Sequence, residues 1–262
     1  MLAMSDEELT RYARHIVLRE VGGSGQARLK AATLVVVGCG GIGSPAIQYA
    51  AAAGFGRLRL IDDDHVDLSN LQRQTLFATS DIGRAKAPVA AAQVTALNPH
   101  VIVEAVEGRI DATNAAALLV GATVVIDGCD NFATRLIVAD AALEARIPLV
   151  SAAVGQFDGQ LAVFRGWEAD RPCYRCFVGD ASDRAGASCA DDGVLGPVTG
   201  ILGSLAALEA IRSVTPFGTD PAGQLLLVDA LALRFRTIGL PKDPGCSACS
   251  GYASSRFANA RT

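Results

Sequence analysis

The sequence predicts an α/β fold, a mostly parallel sheet with helices on both faces. Three observations carry that expectation. A short apolar run, Thr33-Leu34-Val35-Val36-Val37, ends in a glycine-rich turn and is followed by an alanine-rich stretch over 44–53. Strand, glycine turn and helix in that order open a βαβ unit. The alternation then recurs along the chain, which demands a parallel sheet covered on both sides. Finally, 50% of the 262 residues are hydrophobic and 19% charged, enough apolar surface for a core of that size and too much for a disordered chain.

Each element follows from local pattern. Residues 6–20 mix leucine, valine and isoleucine with charges and predict one amphipathic helix. After the first βα unit, Leu58-Arg59-Leu60-Ile61 predicts a second strand ending in Asp62-Asp63-Asp64. Residues 85–97 predict a helix stopped near Pro99, and Val101-Ile102-Val103 a strand. Ala122-Thr123-Val124-Val125-Ile126 predicts the next strand, ending in Asp127-Gly128-Cys129-Asp130-Asn131. A helix over 132–145 and a strand at Pro148-Leu149-Val150 complete the alternation. Past Gln160 the connectivity changes: Leu161-Ala162-Val163-Phe164, Leu225-Leu226-Leu227-Val228 and Arg234-Phe235-Arg236 read as strands around a helix over 200–213. The expected organisation is one domain over 1–262: a helical arm (1–30), a nucleotide-binding core (31–165) and a C-terminal extension (166–262).

Charge and hydropathy exclude several function classes. A net charge of −4 gives no basic footprint for nucleic acid. The start, Met1-Leu2-Ala3-Met4-Ser5-Asp6-Glu7-Glu8, lacks a basic segment followed by an apolar one, so a cytoplasmic protein is expected. The most apolar window, 194–211, contains Pro197, glycines and Glu209, and reads as a buried helix after a turn, not a bilayer span.

Ligands of such sheets bind beyond the carboxyl ends of the strands. The glycine turn, Asp62 and Asp130 all fall there. Gly38, Gly40 and Gly43 form GxGxxG after a strand, with the acidic Asp62 close to the usual spacing of about 20 residues. Without side chains, the turn lets backbone amides approach a phosphate at a helix N-terminus, and Asp62 could accept hydrogen bonds from ribose hydroxyls. The turn alone fits dinucleotide oxidoreductases as well as ATP users. Arg73 in a polar loop, Lys86 and Arg14 add three cations, which suit a triphosphate better than a pyrophosphate.

These residues resemble the ThiF, MoeB and HesA group of ubiquitin-activating-type adenylyltransferases. The likeness rests on Gly38-Cys39-Gly40-Gly41-Ile42-Gly43, Asp62, Ser69-Asn70-Leu71-Gln72-Arg73-Gln74, Lys86 and Asp130-Asn131. It continues through Pro172-Cys173-Tyr174-Arg175-Cys176, the stretch 200–209 and Pro244-Gly245-Cys246-Ser247-Ala248-Cys249. It implies a Rossmann-like fold in which Gly41, Asp62, Asn70, Arg73, Lys86 and Asp130 contact ATP, with Asp130 the carboxylate for Mg²⁺. It also implies attack on the α-phosphate by the C-terminal glycine carboxylate of a small ubiquitin-fold sulfur carrier, releasing pyrophosphate. A homodimer is implied too, with Arg14 reaching across its interface. The stretches 151–155 and 193–197 look closer to the ThiF branch, which acts on ThiS-like carriers; the MoaD-like molybdopterin carrier is the alternative, or an activator shared by both.

The seven cysteines need a use other than disulfides. Cys173-x-x-Cys176 and Cys246-x-x-Cys249 each place two thiolates within reach of one ion, and four around Zn²⁺ form a closed structural site. Zinc would then pin the C-terminal extension to the body; a redox CxxC is the competing use. Cys189 lies in a polar, glycine-containing segment, and the resemblance implies a thiol there that can join the carrier's C-terminus or sulfur. Two neighbouring aspartates oppose the lowered pKa that such a role requires. Cys39 and Cys129 read as small residues beside strand ends, although Cys129 stands where the family commonly has threonine. His15, His65 and His100 show no ligand spacing. An NAD-dependent oxidoreductase would share the glycine turn but has no use for the Arg73 loop and two CxxC pairs. A non-catalytic nucleotide-binding scaffold is the third reading.

Overall fold

A computed structural model describes residues 4–179 and 193–254. Its centre is one eight-stranded sheet in the order β3-β2-β1-β4-β5-β6-β7-β8. Strands β1 (Thr33–Val37), β2 (Arg57–Asp62), β3 (Ile102–Glu107), β4 (Val124–Asp127) and β5 (Leu149–Gly155) run parallel. Then β6 (Asp158–Phe164), β7 (Gln224–Asp229) and β8 (Arg234–Gly239) continue antiparallel. The expected α/β fold is therefore present, and the change of connectivity falls at the β5–β6 hairpin.

Alternate residues of the central strands feed opposite faces, because successive side chains on a strand point to opposite sides. Leu34, Val36, Leu58, Leu60 and Ile126 pack under α4 (Gly43–Ala53), α5 (Lys86–Leu97) and the long helix α9 (Gly196–Val214). Val35, Val37, Ile61 and Val125 pack on the other face under α6 (Ala115–Leu118) and α7 (Phe132–Glu144), with α8 (Tyr174–Val178). Helix α9 is the apolar window of the sequence. Leu202 and Ala206 are fully buried, and no helix among the described residues is long and apolar enough to cross a membrane.

The N-terminal segment departs from expectation. Instead of one helix over 6–20, the chain forms α1 (Asp6–Arg11) and α2 (Ala13–Ile16), broken at Tyr12 (φ −97°, ψ 9°). The Tyr12 ring is buried, and its hydroxyl accepts a 2.8 Å bond from Asn98 Nδ2. Burial of that ring fixes the break. A further helix for which the local pattern placed no separate element, α3 (Gly22–Ala31), follows despite three glycines that disfavour helix. Packing overrides propensity here: Gln26 and Leu29 are fully buried, and a Cβ at Gly25 would lie 2.6 Å from Thr215 Oγ1.

Candidate functional site

The glycine turn lies between β1 and α4. Gly38 has φ +91°, a left-handed conformation that glycine adopts freely, and a Cβ there would approach the Gly128 carbonyl to 2.9 Å. A Cβ at Gly43 would sit 2.0 Å from the Gly38 carbonyl oxygen, so the turn closes on itself only without one. No side chain caps α4, and the N–H groups of residues 40–43 make no hydrogen bond among the described residues. Free amides at a helix N-terminus are the feature that attracts an anion.

Beside the turn lies a cavity of about 340 Å³ at the carboxyl ends of β3, β2, β1 and β4. It gathers seven of the residues singled out in the sequence: Gly38, Gly40, Asp62, Arg73, Lys86, Asp130 and Asn131. Asp62 accepts from the Cys39 N–H (2.6 Å) and the Asp64 N–H (2.9 Å). Burial still pushes its carboxyl above the ordinary range. Lys86 is buried, and its Nζ donates to Asp64 Oδ2 at 2.5 Å. Burial works against the Asp64 charge, but the Lys86 hydrogen bond, the His65 N–H and the nearby positive charge together outweigh it and hold the carboxyl below its usual value. Asp130 is exposed to the cavity, and its carboxylate has no hydrogen bond or ion pair among the described residues. Asn131 caps α7 by accepting from the Thr134 N–H at 2.9 Å.

The Arg73 loop is built by its own short bonds. Asp67 accepts from the Ser69 N–H (2.8 Å) and hydroxyl (2.6 Å), starting a 3₁₀ turn over Leu68–Asn70. Arg73 donates to the Ser69 carbonyl at 3.0 Å. Helix α9 holds the loop from outside: Gly196 packs on the Gln72 carbonyl, and the Thr199 hydroxyl lies 3.3 Å from the Arg73 carbonyl. The same Thr199 backs Gly41. Ser69, Asn70, Leu71, Gln72, Gly41 and Gly43 shape the loop and turn without lining the cavity themselves. Arg14 is exposed on α2 and lines no part of it, and Cys189 lies outside the described residues.

Three of the cavity's residues escaped the sequence reading as site residues. Gln74 is buried, and its Oε1 has no hydrogen-bond partner. Asp64 pairs with Lys86, and the exposed Arg109 forms the wall beyond β3. Gln74 sits in the motif already quoted, and Asp64 ends a visible acidic run. Arg109 was findable only from its place two residues past a strand end. Four carboxylates (Asp62, Asp63, Asp64, Asp130) face three cations (Arg73, Lys86, Arg109). A polyphosphate would bring net repulsion unless a divalent cation accompanied it, and a free carboxylate such as Asp130 is the hard oxygen ligand Mg²⁺ requires.

A second cluster lies at the end of the chain. The sulfurs of Cys173, Cys176, Cys246 and Cys249 are all within 4.8 Å of one another, with close pairs at 3.4, 3.6 and 3.8 Å. Four thiolates about 2.3 Å from a tetrahedral ion would lie about 3.8 Å apart, so the cluster fits Zn²⁺. Burial pushes the Cys173 thiol far up, and the neighbouring sulfurs add to it. A divalent cation reverses that logic and stabilises the thiolates. Cys39 and Cys129 are buried beside strand ends, as expected, and burial raises both.

Comparison with known proteins agrees with this architecture. The ThiF family model matches residues 12–248. The sulfur carrier protein adenylyltransferase of Thermus thermophilus is 45% identical over 254 residues, spanning 95% of this chain and 94% of that protein. The molybdopterin-synthase adenylyltransferase of Escherichia coli is 39% identical over 249 residues, spanning 95% and 99%. Among solved structures, E. coli MccB with ATP superposes with a TM-score of 0.80 over 94% of this chain and 75% of that one; at 23% identity this likeness bears on the fold alone. The chain belongs to the ThiF family and is an ATP-dependent adenylyltransferase.

Proposed function

We propose that the enzyme activates the C-terminal glycine of a small ubiquitin-fold sulfur-carrier protein, ThiS-like by the sequence of 151–155 and 193–197. The carrier's carboxylate oxygen forms a bond to the α-phosphorus of ATP while the bond to the β-phosphate oxygen breaks. The products are an acyl-adenylate and pyrophosphate. The observation that carries the reading is the cavity itself: unpaired amides, buried Lys86, Arg73 and an uncommitted Asp130 carboxylate converge at one end of the parallel strands. Such a reaction depends on alignment and charge neutralisation more than on covalent help.

Each residue has a role in this reading. The amides of Gly40, Gly41 and Gly43 receive phosphate oxygens, and Asp62 accepts from the ribose. Arg73 and Lys86 neutralise the phosphates, and Ser69, Asn70, Leu71 and Gln72 hold Arg73 in place. Asp130 holds Mg²⁺, which when bound draws charge from the phosphates, and Asn131 fixes the start of α7 behind it. In a homodimer, Arg14 serves the partner's cavity. The segment 166–262 binds the carrier and holds Zn²⁺ through Cys173, Cys176, Cys246 and Cys249, with Cys189 as the thiol available to the activated carrier. A MoaD-like carrier is the second reading, supported by the E. coli relative that spans 95% of this chain.

The test is nucleotide exchange. Asp130→Ala should abolish carrier-dependent ATP–pyrophosphate exchange while circular dichroism stays unchanged. Normal exchange in that variant would remove Asp130 from the machinery.

A further inference from the structure

Beneath the cavity lies a buried ion pair whose own side chains do not line it. Arg135 on α7 and Asp127 at the end of β4 are 3.2 Å apart, the carboxylate fully buried. Burying two charges is costly, and apolar residues of similar size would often serve stability as well. The pair's remaining bonds show what else it does. Asp127 Oδ1 accepts from the Cys129 N–H at 3.0 Å, while Arg135 Nη2 donates to the Cys129 carbonyl. Both sides of Cys129 are therefore clamped, and Cys129 directly precedes Asp130. On the other flank, Asn131 accepts from the Thr134 N–H, and the Arg135 N–H donates back to the Asn131 carbonyl at 3.3 Å. Asp130 is thus held on both sides by its backbone while its own carboxylate stays uncommitted.

The guanidinium is itself fixed from three directions. It donates to the Ala152 carbonyl at 2.9 Å and lies 3.4 Å from the Ser151 hydroxyl, which in turn donates to Asp127 at 2.9 Å. The Tyr174 hydroxyl is its further partner. Tyr174 stands between Cys173 and Cys176 of the tetracysteine cluster, its ring 5.4 Å from that of Phe164 in an edge-on contact. One chain of contacts therefore joins the cysteine cluster to the Asp130 loop.

We propose that Arg135 is the positioning residue for Asp130, fixing the Cys129 peptide so that the carboxylate faces the cavity before a divalent cation arrives, with Tyr174 tying the guanidinium to the cysteine cluster. This inference rests on the reading of Asp130 as the cation's carboxylate. It separates Arg135 from the groups that contact nucleotide: its loss disorders the cation's ligand and leaves the amide cradle and Lys86 intact.

The experiment uses the full chain with its carrier. Two quantities are measured: the Mg²⁺ concentration giving half-maximal ATP–pyrophosphate exchange, and nucleotide binding by titration with Mg²⁺ and in excess chelator. Arg135→Lys keeps the charge but cannot span five partners; it should raise the Mg²⁺ requirement about tenfold, the effect of losing a hydrogen bond to a charged group. Tyr174→Phe keeps the ring packing and should raise it about threefold, as for a weaker, neutral partner. Binding in chelator and kcat at saturating Mg²⁺ should stay unchanged in both. Should Arg135→Lys fail to fold, Tyr174→Phe decides alone. The proposal is overturned if Tyr174→Phe, melting like the parent, keeps the parent's Mg²⁺ requirement, or if binding with and without Mg²⁺ falls equally. Asp130→Asn runs beside them: an unchanged Mg²⁺ requirement there defeats the Asp130 reading itself, whereas a raised one with silent Arg135→Lys and Tyr174→Phe defeats only the positioning role.

Discussion

Adding a single methyl group at three glycines of the nucleotide turn separates packing from ligand access. At Gly43 the new Cβ would lie 2.0 Å from the Gly38 carbonyl oxygen and 3.0 Å from its carbon. Ordinary contact needs about 3.5 Å, so two backbone segments must part by more than about 1 Å. Overpacking of that kind costs about 1–3 kcal/mol, and backbone cannot yield as a flexible side chain does. Alanine on a helix returns at most about 1 kcal/mol, so the collision wins. The net loss of about 2 kcal/mol should lower the melting temperature by roughly 4–8 °C in a chain of this size. Gly41→Ala meets Thr199 Cγ2 at 3.0 Å and needs only a few tenths of an ångström, so its loss should be smaller. Gly40→Ala meets only Gln74 Nε2 at 3.5 Å and should leave melting unchanged while weakening nucleotide binding, because its Cβ occupies the cradle. Thermal melts and nucleotide titrations of the three variants read this out. If Gly43→Ala melts with Gly40→Ala, the close approach is not what the turn depends on.

Other predictions follow from single contacts. Lys86→Met should weaken ATP binding at least tenfold, the weight of one hydrogen bond to a charged group, yet cost little stability, because its partner Asp64 is 66% exposed; a large melting shift with unchanged binding would reverse those roles. Stripping the proposed Zn²⁺ from the cysteine cluster should cost on the order of several kcal/mol, since ligand binding to such sites is folding free energy. An unchanged melting temperature after verified metal loss would refute it. Burial works against the Asp220 charge, but the Ala222 N–H and the guanidiniums of Arg165 and Arg171 outweigh it and hold the carboxyl below the usual range. A lowered folded-state pKa stabilises above the unfolded value of about 3.9 and is lost as pH falls through the folded one. Asp220→Asn should therefore cost roughly 0.5–1 kcal/mol at pH 7, discounted for a side chain 37% exposed, and the deficit should vanish in strong acid. A deficit independent of pH would contradict the charge argument.

Much of this molecule is written locally in its sequence. The parallel strands were legible because Thr33–Val37 and Val124–Asp127, buried on both faces, are nearly continuous apolar runs. Their ends delivered the glycine turn, Asp62 and Asp130 to one edge, so half of the site followed from strand positions alone. What failed to show was whatever depends on partners distant in the chain. Helix α3 forms against its glycines because Gly25 must pass close to Thr215, 190 residues later, and the Tyr12 break depends on Asn98. Arg109 and the Arg135–Asp127 pair belong to no motif, and the burial of Gln74 does not show in the motif that contains it. Their roles arise from neighbouring strands and from α9 pressing on the turn and the Arg73 loop together.

The central claim is that this cavity joins ATP to a carrier's terminal glycine. It is tested most directly by ATP–pyrophosphate exchange with purified ThiS-like and MoaD-like carriers, each intact and with its final glycine removed. The account predicts exchange with an intact carrier and none with the shortened form, the responding carrier naming the branch. Exchange that ignores the terminal glycine, or none with either well-folded carrier, would contradict it.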